Sequence, residues 1–140
     1  MFRRIAALLF GAATLATAGG ACAQTPPAPK AEILAKWPKF ASDSSYSHYR
    51  QPVVTRKGAN AAVWKMAEPT PSMAKIGVPT IYSRLEFDCA AKRKKILAIA
   101  RFNADGSVKP PPADDVALDK WFEILDSADY ALFQDLCQKR

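Results

Sequence analysis

Few residues in this chain are of a type that does chemistry, and they fall into four groups. Cys89 and Cys137 are the two cysteines left once an N-terminal leader is set aside. An even pair in an exported chain reads as one disulfide, with two buried free thiols as the alternative. His48 is the sole histidine, the usual base near neutral pH, and stands between Ser47 and Tyr49. On a strand, Ser47 and His48 point to opposite faces and do not form a nucleophile and its base, so His48 is read as a structural or surface residue. Carboxylate pairs occur at Glu86 and Asp88 and at Asp114 and Asp115. Paired acids do acid–base work when burial drives their pKa values apart, but Arg84 is expected to neutralise the first pair.

No catalytic residue is therefore assigned, and the chain is read as non-enzymatic. Zinc needs three or four Cys, His or carboxylate ligands at close spacing, and these are lacking. Neither a glycine-rich phosphate cradle nor a C-x-x-C occurs, so no metal or cofactor is expected. The fourth group, Lys92, Arg93, Lys94 and Lys95, is the sharpest electrostatic feature. At a turn between strands these residues would project from one end of a sheet and grip sulfate, phosphate or an acidic protein surface. The bland alternative is a solvated hairpin end that keeps strand edges apart. Tyr46, Tyr49, Trp64, Tyr82 and Trp121 are contact or core aromatics.

The elements that must position these groups are legible from periodicity. Ile81, Ser83, Leu85, Phe87 and Cys89 alternate with Tyr82, Arg84, Glu86 and Asp88, which predicts a strand with one buried face. Arg93 to Phe102 returns antiparallel, with Ile96, Leu97 and Ile99 placing apolar groups on both faces as in a strand covered on both sides. Trp37 to Ala41, Tyr46 to Tyr49, Val53 to Lys57 and Ala61 to Ala67 predict further strands, and Gly58-Ala59-Asn60 a tight connection. Glu68 to Val78, rich in Pro and Gly, predicts an exposed loop, and Lys120 to Ile124 a short strand or aromatic plug. Ser127 to Lys139 has Leu132, Phe133, Leu136 and Cys137 at helical spacing, with Ser127 as the expected cap and Asp129 complementing the dipole. The fold class is thus α+β: an antiparallel sheet of about six strands with a C-terminal helix packed on one face and tethered by the disulfide. Closing that loop of about 49 residues stabilises the fold by up to roughly 4 kcal/mol on the chain-entropy model.

Residues 1–23 read as a signal peptide. Phe2-Arg3-Arg4 is basic, Ile5 to Ala18 apolar, and Ala21-Cys22-Ala23 fits a cleavage pattern, with the cut before Gln24. Lipidation of Cys22 is the alternative that would anchor the protein to a membrane. Residues 24–35 read as a Pro-rich spacer, with Ala31 to Lys36 as a short helical turn, and 36–140 as the domain. Loss of Arg3 and Arg4 lowers Lys plus Arg from 20 to 18 against 13 acids, a net charge of +5. Such a balance favours acidic partners, and export together with the lack of a recognition helix argues against nucleic acid. The sequence does not specify oligomeric state.

Several segments, in order and spacing, resemble the bacterial surface-adhesin protein E family. They are Ser45 to Arg50 followed by Val54, Gly58-Ala59-Asn60 before Val63-Trp64, Leu85 to Ala90, Phe102 to Gly106, Trp121 to Ile124, and Ser127 ahead of Cys137. The resemblance runs from about Trp37 to Cys137. It implies an antiparallel sheet with a disulfide-tied helix, and a non-enzymatic envelope protein that binds host matrix or plasma proteins. Arg50 stands where that family often has an acid. The expected function is an exported binding module, adhesin-like, with a protein or acidic-polymer partner, located in the periplasm or at the cell surface. The alternatives are a periplasmic accessory protein that binds another envelope component and, weakest, a small hydrolase.

Overall fold

The computed structural model describes residues 25–111 and 117–139. The leader with Cys22, the cut before Gln24 and the Asp114–Asp115 pair lie outside the described residues. In chain order the elements are α1 (Lys30–Lys36), β1 (Lys39–Ser42), β2 (Tyr46–Arg50), β3 (Thr55–Lys57), β4 (Asn60–Pro69), α2 (Pro71–Lys75), β5 (Thr80–Asp88), β6 (Arg93–Phe102), β7 (Trp121–Glu123) and α3 (Ser127–Cys137). The alternation over Thr80–Asp88 thus builds β5, in the middle of the sheet. The sheet order is β1-β2-β4-β5-β6-β7, with β3 pairing β4 on the side that β2 also occupies. Each pairing is antiparallel, and β1–β2, β3–β4 and β5–β6 are joined by short turns.

Period-two alternation sends Ala61, Val63, Leu85, Phe87 and Ile96 to one face, where α3 buries them under Leu132, Phe133 and Leu136. The Cys89–Cys137 disulfide, with Cα atoms 5.4 Å apart, holds the C-terminal end of that helix to the end of β5. On the opposite face, Ile33 and Trp37 pack on Met66, Tyr82, Ala100 and Phe102. The register pairs Ala61 with Phe87 and Val63 with Leu85 at one end of β4 and β5, and Met66 with Tyr82 toward the other. Helices α3 and α1 therefore pack on opposite faces of the sheet, toward diagonally opposite ends of β4 and β5.

Four local outcomes differ from the sequence expectations. The helical turn expected over Ala31 to Lys36 forms as α1, but its Ile33 is fully buried, so part of the stretch read as spacer belongs to the core; Trp37 caps that helix instead of opening a strand. Pro71 at the first helical position turns part of the expected loop into α2. The β5–β6 register slips between Arg84 and Leu85, whose partners are Ala98 and Ile96, which makes Leu97 the extra residue of a bulge. That bulge keeps Ile96 and Ile99 on the α3 face, while Ala100 and Phe102 are buried on the α1 face, so β6 does bury apolar residues on both sides as expected. Finally, the cap of α3 is Asp126, whose side chain accepts from the Asp129 amide at 2.8 Å; Ser127 is already the first helical residue.

Candidate binding surfaces

The basic run begins at the β5–β6 turn, where Asp88 Oδ1 accepts from the amides of Ala90 and Ala91 at 3.1 and 2.9 Å and Lys92 takes a left-handed φ of 54°. Alternation along β6 then divides the run. Lys94 goes to the α3 face, where its ammonium contacts Asp129. Arg93 and Lys95 go to the other face, above the Trp121 ring at 4.9 and 4.8 Å. There Arg93 lies 3.3 Å from Asp88, and Lys95 lies 3.4 Å from Glu86 and 3.3 Å from Asp119. The four cations thus form no single outward cluster. Among the described residues Lys92 alone of the four has no ion pair. The Glu86 and Asp88 carboxylates are answered by basic neighbours as expected, though these are Lys95 and Arg93 and not Arg84. The backbone hydrogen bond from Ala91, then the Arg93 side chain, holds Asp88 below its usual range against the opposing pull of partial burial.

Asp129 has a larger role than dipole complementation. It is 5 % exposed, takes Lys65 Nζ at 2.5 Å on one oxygen, and meets the Lys94 ammonium on the other. Burial pushes its pKa up, but the Lys65 and Lys94 charges more than offset this, and the net shift is downward. The partners are 64 and 35 residues away in sequence, beyond the reach of any local pattern.

His48 is buried at 6 % exposure between the Phe40 and Tyr46 rings, each with its centroid 6.0 Å away. Its Nε2 lies 3.0 Å from Asp43 Oδ2, and its Nδ1 is buried without a partner among the described residues. Asp43 also accepts from the Ser45 and Tyr46 amides at 2.7 and 2.8 Å, closing the β1–β2 turn. The His48 hydrogen bond first, then those two amides, lowers the Asp43 pKa from 3.8 to about 2. Among the described residues no hydroxyl or thiol is hydrogen-bonded to His48, so the pair acts as a turn clasp. Beside it, a cleft of about 230 Å³ lies on the α3 face of the sheet between Ala67, Ile81 and Ile99 and the N-terminal end of α3 at Asp126 and Asp129.

A larger cavity opens where β1 packs against α3. Pro38, Lys39 and Phe40 form one wall and Ala131, Gln134, Asp135 and Lys139 the other, around about 400 Å³ with Arg50 at the base. A separate cavity of about 230 Å³ lies between Ala41 to Asp43 and Ser127 with Ala128, with His48 on its wall. Arg50 Nε lies 2.7 Å from Asp135 Oδ2, a charge contact without an aligned hydrogen bond, and Arg50 Nη1 donates to the Gln51 carbonyl at 3.2 Å. Sequence reading missed these cavities, whose only local signal is the run of small residues at Ser127, Ala128 and Ala131.

The aromatics are mostly structural: Tyr82 is buried edge-on to Phe102, and Tyr49 and Trp64 pack on the α1 cluster. Among the described residues no group of His, Cys, Asp or Glu is arranged to hold a metal, and no helix is long and apolar enough to cross a membrane. The chain matches no family model, no curated protein and no solved structure.

Proposed function

We propose that the protein is an exported, non-enzymatic binding module of a Gram-negative cell envelope, related to the surface-adhesin protein E family. In this proposal it contacts a protein or acidic-polymer partner from the periplasm or the cell surface, and a membrane only if Cys22 carries lipid. The observation that carries the proposal is the disulfide between Cys89 and Cys137. Such a bond persists in oxidising compartments and is rare in a reducing cytosol, which agrees with the basic, apolar and small-residue order of residues 1–23.

The fastening of α3 is consistent with a binding role. The helix is tied by the disulfide at one end and by Lys65 and Lys94 through Asp129 near the other. Arg56 Nη2 adds a hydrogen bond to the Leu136 carbonyl at 2.9 Å. A surface already fixed in its bound shape loses less entropy when a partner arrives. Intact mass after cell fractionation tests the proposal. The expected product is an envelope protein cut before Gln24 and two protons lighter than its reduced form; an uncut, reduced chain in the cytosol would refute it.

A further inference from the structure

We propose that a shallow cavity on the face of the sheet that carries α1, lined by Arg84 and Lys57, takes a glutamate side chain of a partner protein. This deepens the binding-module proposal and rests on it. The cavity holds about 170 Å³ and lies between Thr55 and Lys57 on β3 and Leu97 on β6, with Ala62 and Arg84 among the residues between them. Register brings these side chains to one face, since Thr55 pairs with Ala62, Ala62 with Glu86, and Trp64 with Arg84. Ala62 ends at Cβ between the longer Asn60 and Trp64 of the same face, which leaves a hollow. Leu97 joins the wall as the extra residue of the β6 bulge, a device that re-aims a side chain.

The electrostatics of the cavity call for an anion. Other half-buried cations of the sheet meet a carboxylate within the fold: Arg50 meets Asp135, Lys65 and Lys94 meet Asp129, and Lys95 meets Glu86 and Asp119. Arg84, half-buried on the middle strand β5, has no ion pair among the described residues, and neither has Lys57. A cation drawn partly out of water without a counter-ion keeps an uncompensated desolvation cost, which an arriving anion offsets. Glu86 also lines the cavity, but Asn60 Nδ2 donates to one of its oxygens at 2.6 Å and Lys95 lies 3.4 Å from the other. The surplus is therefore positive.

Shape narrows the anion further. A planar guanidinium matches the two oxygens of a carboxylate, and the apolar Ala62 and Leu97 suit a short aliphatic stem, which together describe a glutamate side chain. Arg93 and Lys95, further along the same face, are held by Asp88, Glu86 and Asp119. The surplus charge thus does not extend into the row of cations that an acidic polymer would need. At about 170 Å³ the cavity is smaller than the roughly 300 Å³ at which small-molecule sites begin, so the remaining contact belongs to the protein that carries the side chain.

The test is NMR titration of the nitrogen-15-labelled, disulfide-bonded protein with acetyl-Gly-Glu-Gly-amide and with its glutamine counterpart, which keeps the shape and lacks the charge. The glutamate peptide is expected to shift the Arg84 side-chain signal and the Thr55, Ala62 and Leu97 amides with a Kd on the order of 1 mM, and the glutamine peptide to leave them in place. Arg84→Gln is expected to weaken binding roughly tenfold, the exposed Lys57→Gln roughly threefold, and Lys92→Gln not at all. Should Arg84→Gln disturb the fold, which the same spectra reveal, Lys57→Gln decides alone. No shift at about 20 mM peptide, equal shifts from both peptides, shifts confined to the β5–β6 turn, or an affinity indifferent to the deciding variant would each overturn the assignment. Heparin oligosaccharide that occupies these residues while the glutamate peptide does not would put an acidic polymer in place of the protein and overturn it as well. None of these results touches export, which cell fractionation tests on its own.

Discussion

Replacing Asp129 with Asn takes one negative charge from a site that holds two positive ones. The side chains of Asp129, Lys65 and Lys94 are 7, 11 and 14 % exposed, so water screens the leftover ammoniums poorly. Removing one partner from such a buried group costs about 3–5 kcal/mol, against about 0–1 kcal/mol for an exposed pair. Asn keeps one acceptor oxygen, which places the expectation near 3 kcal/mol, or about 1.5 M in the urea midpoint for a slope of about 2 kcal/mol per molar. The assay is urea unfolding at neutral pH with the disulfide intact. Burial raises the Asp129 pKa, but Lys65 and Lys94 more than reverse this, so the folded value lies below the unfolded one. The carboxylate therefore contributes fully above about pH 4, and its contribution is lost as pH falls through the folded value; Asp129→Asn should lack that acid limb. Substituting all three as Lys65→Met, Lys94→Met and Asp129→Leu should recover much of the loss, since no unpaired charge remains. A midpoint for Asp129→Asn within about 0.3 M of the parent would show that the carboxylate is not a buried counter-ion, and the reasoning would fail.

Two further predictions concern the turns that fasten β1 and α3. Asp126→Ala removes the side-chain acceptor for the Asp129 amide and should cost about 0.5–2 kcal/mol, whereas Ser127→Ala should stay within about 0.5 kcal/mol; the reverse order in urea unfolding would return the cap to Ser127. The Asp43 carboxyl should titrate near its folded value of about 2, so its hold on the β1–β2 turn is present above pH 3.8 and lost as pH falls toward 2. Carbon-detected NMR titration checks this, and a midpoint near the ordinary value of 3.8 would remove the His48 clasp from the account.

The sheet was legible in the sequence because alternation is a local property of the chain. Ile81 to Cys89 could bury one face only as a strand, and Leu132, Phe133 and Leu136 could share a face only as a helix. The division of Lys92, Arg93, Lys94 and Lys95 between two faces follows from the same alternation, once it is extended back from Ile96. Leu97 misled it, because one inserted residue shifts the period without any compositional mark. The cap of α3 was misplaced by a single position, since Asp126 and Ser127 are both good caps and only the backbone geometry chooses between them.

The sequence alone determined that Leu85 and Phe87 share one buried strand face, that the fold is an antiparallel sheet carrying a C-terminal helix, and which two sulfurs are available for the bridge, since periodicity and counting act within one segment; Tyr82 and Ile33, buried on the other face, were not legible that way. Tertiary structure alone decided that Asp129 lies between Lys65 and Lys94, that α1 and α3 pack on opposite faces of the sheet, and that α3 meets β1 beside a cavity with Arg50 in its wall. Those features join residues tens of positions apart. They arise from how two packed surfaces meet, and no single segment encodes that meeting.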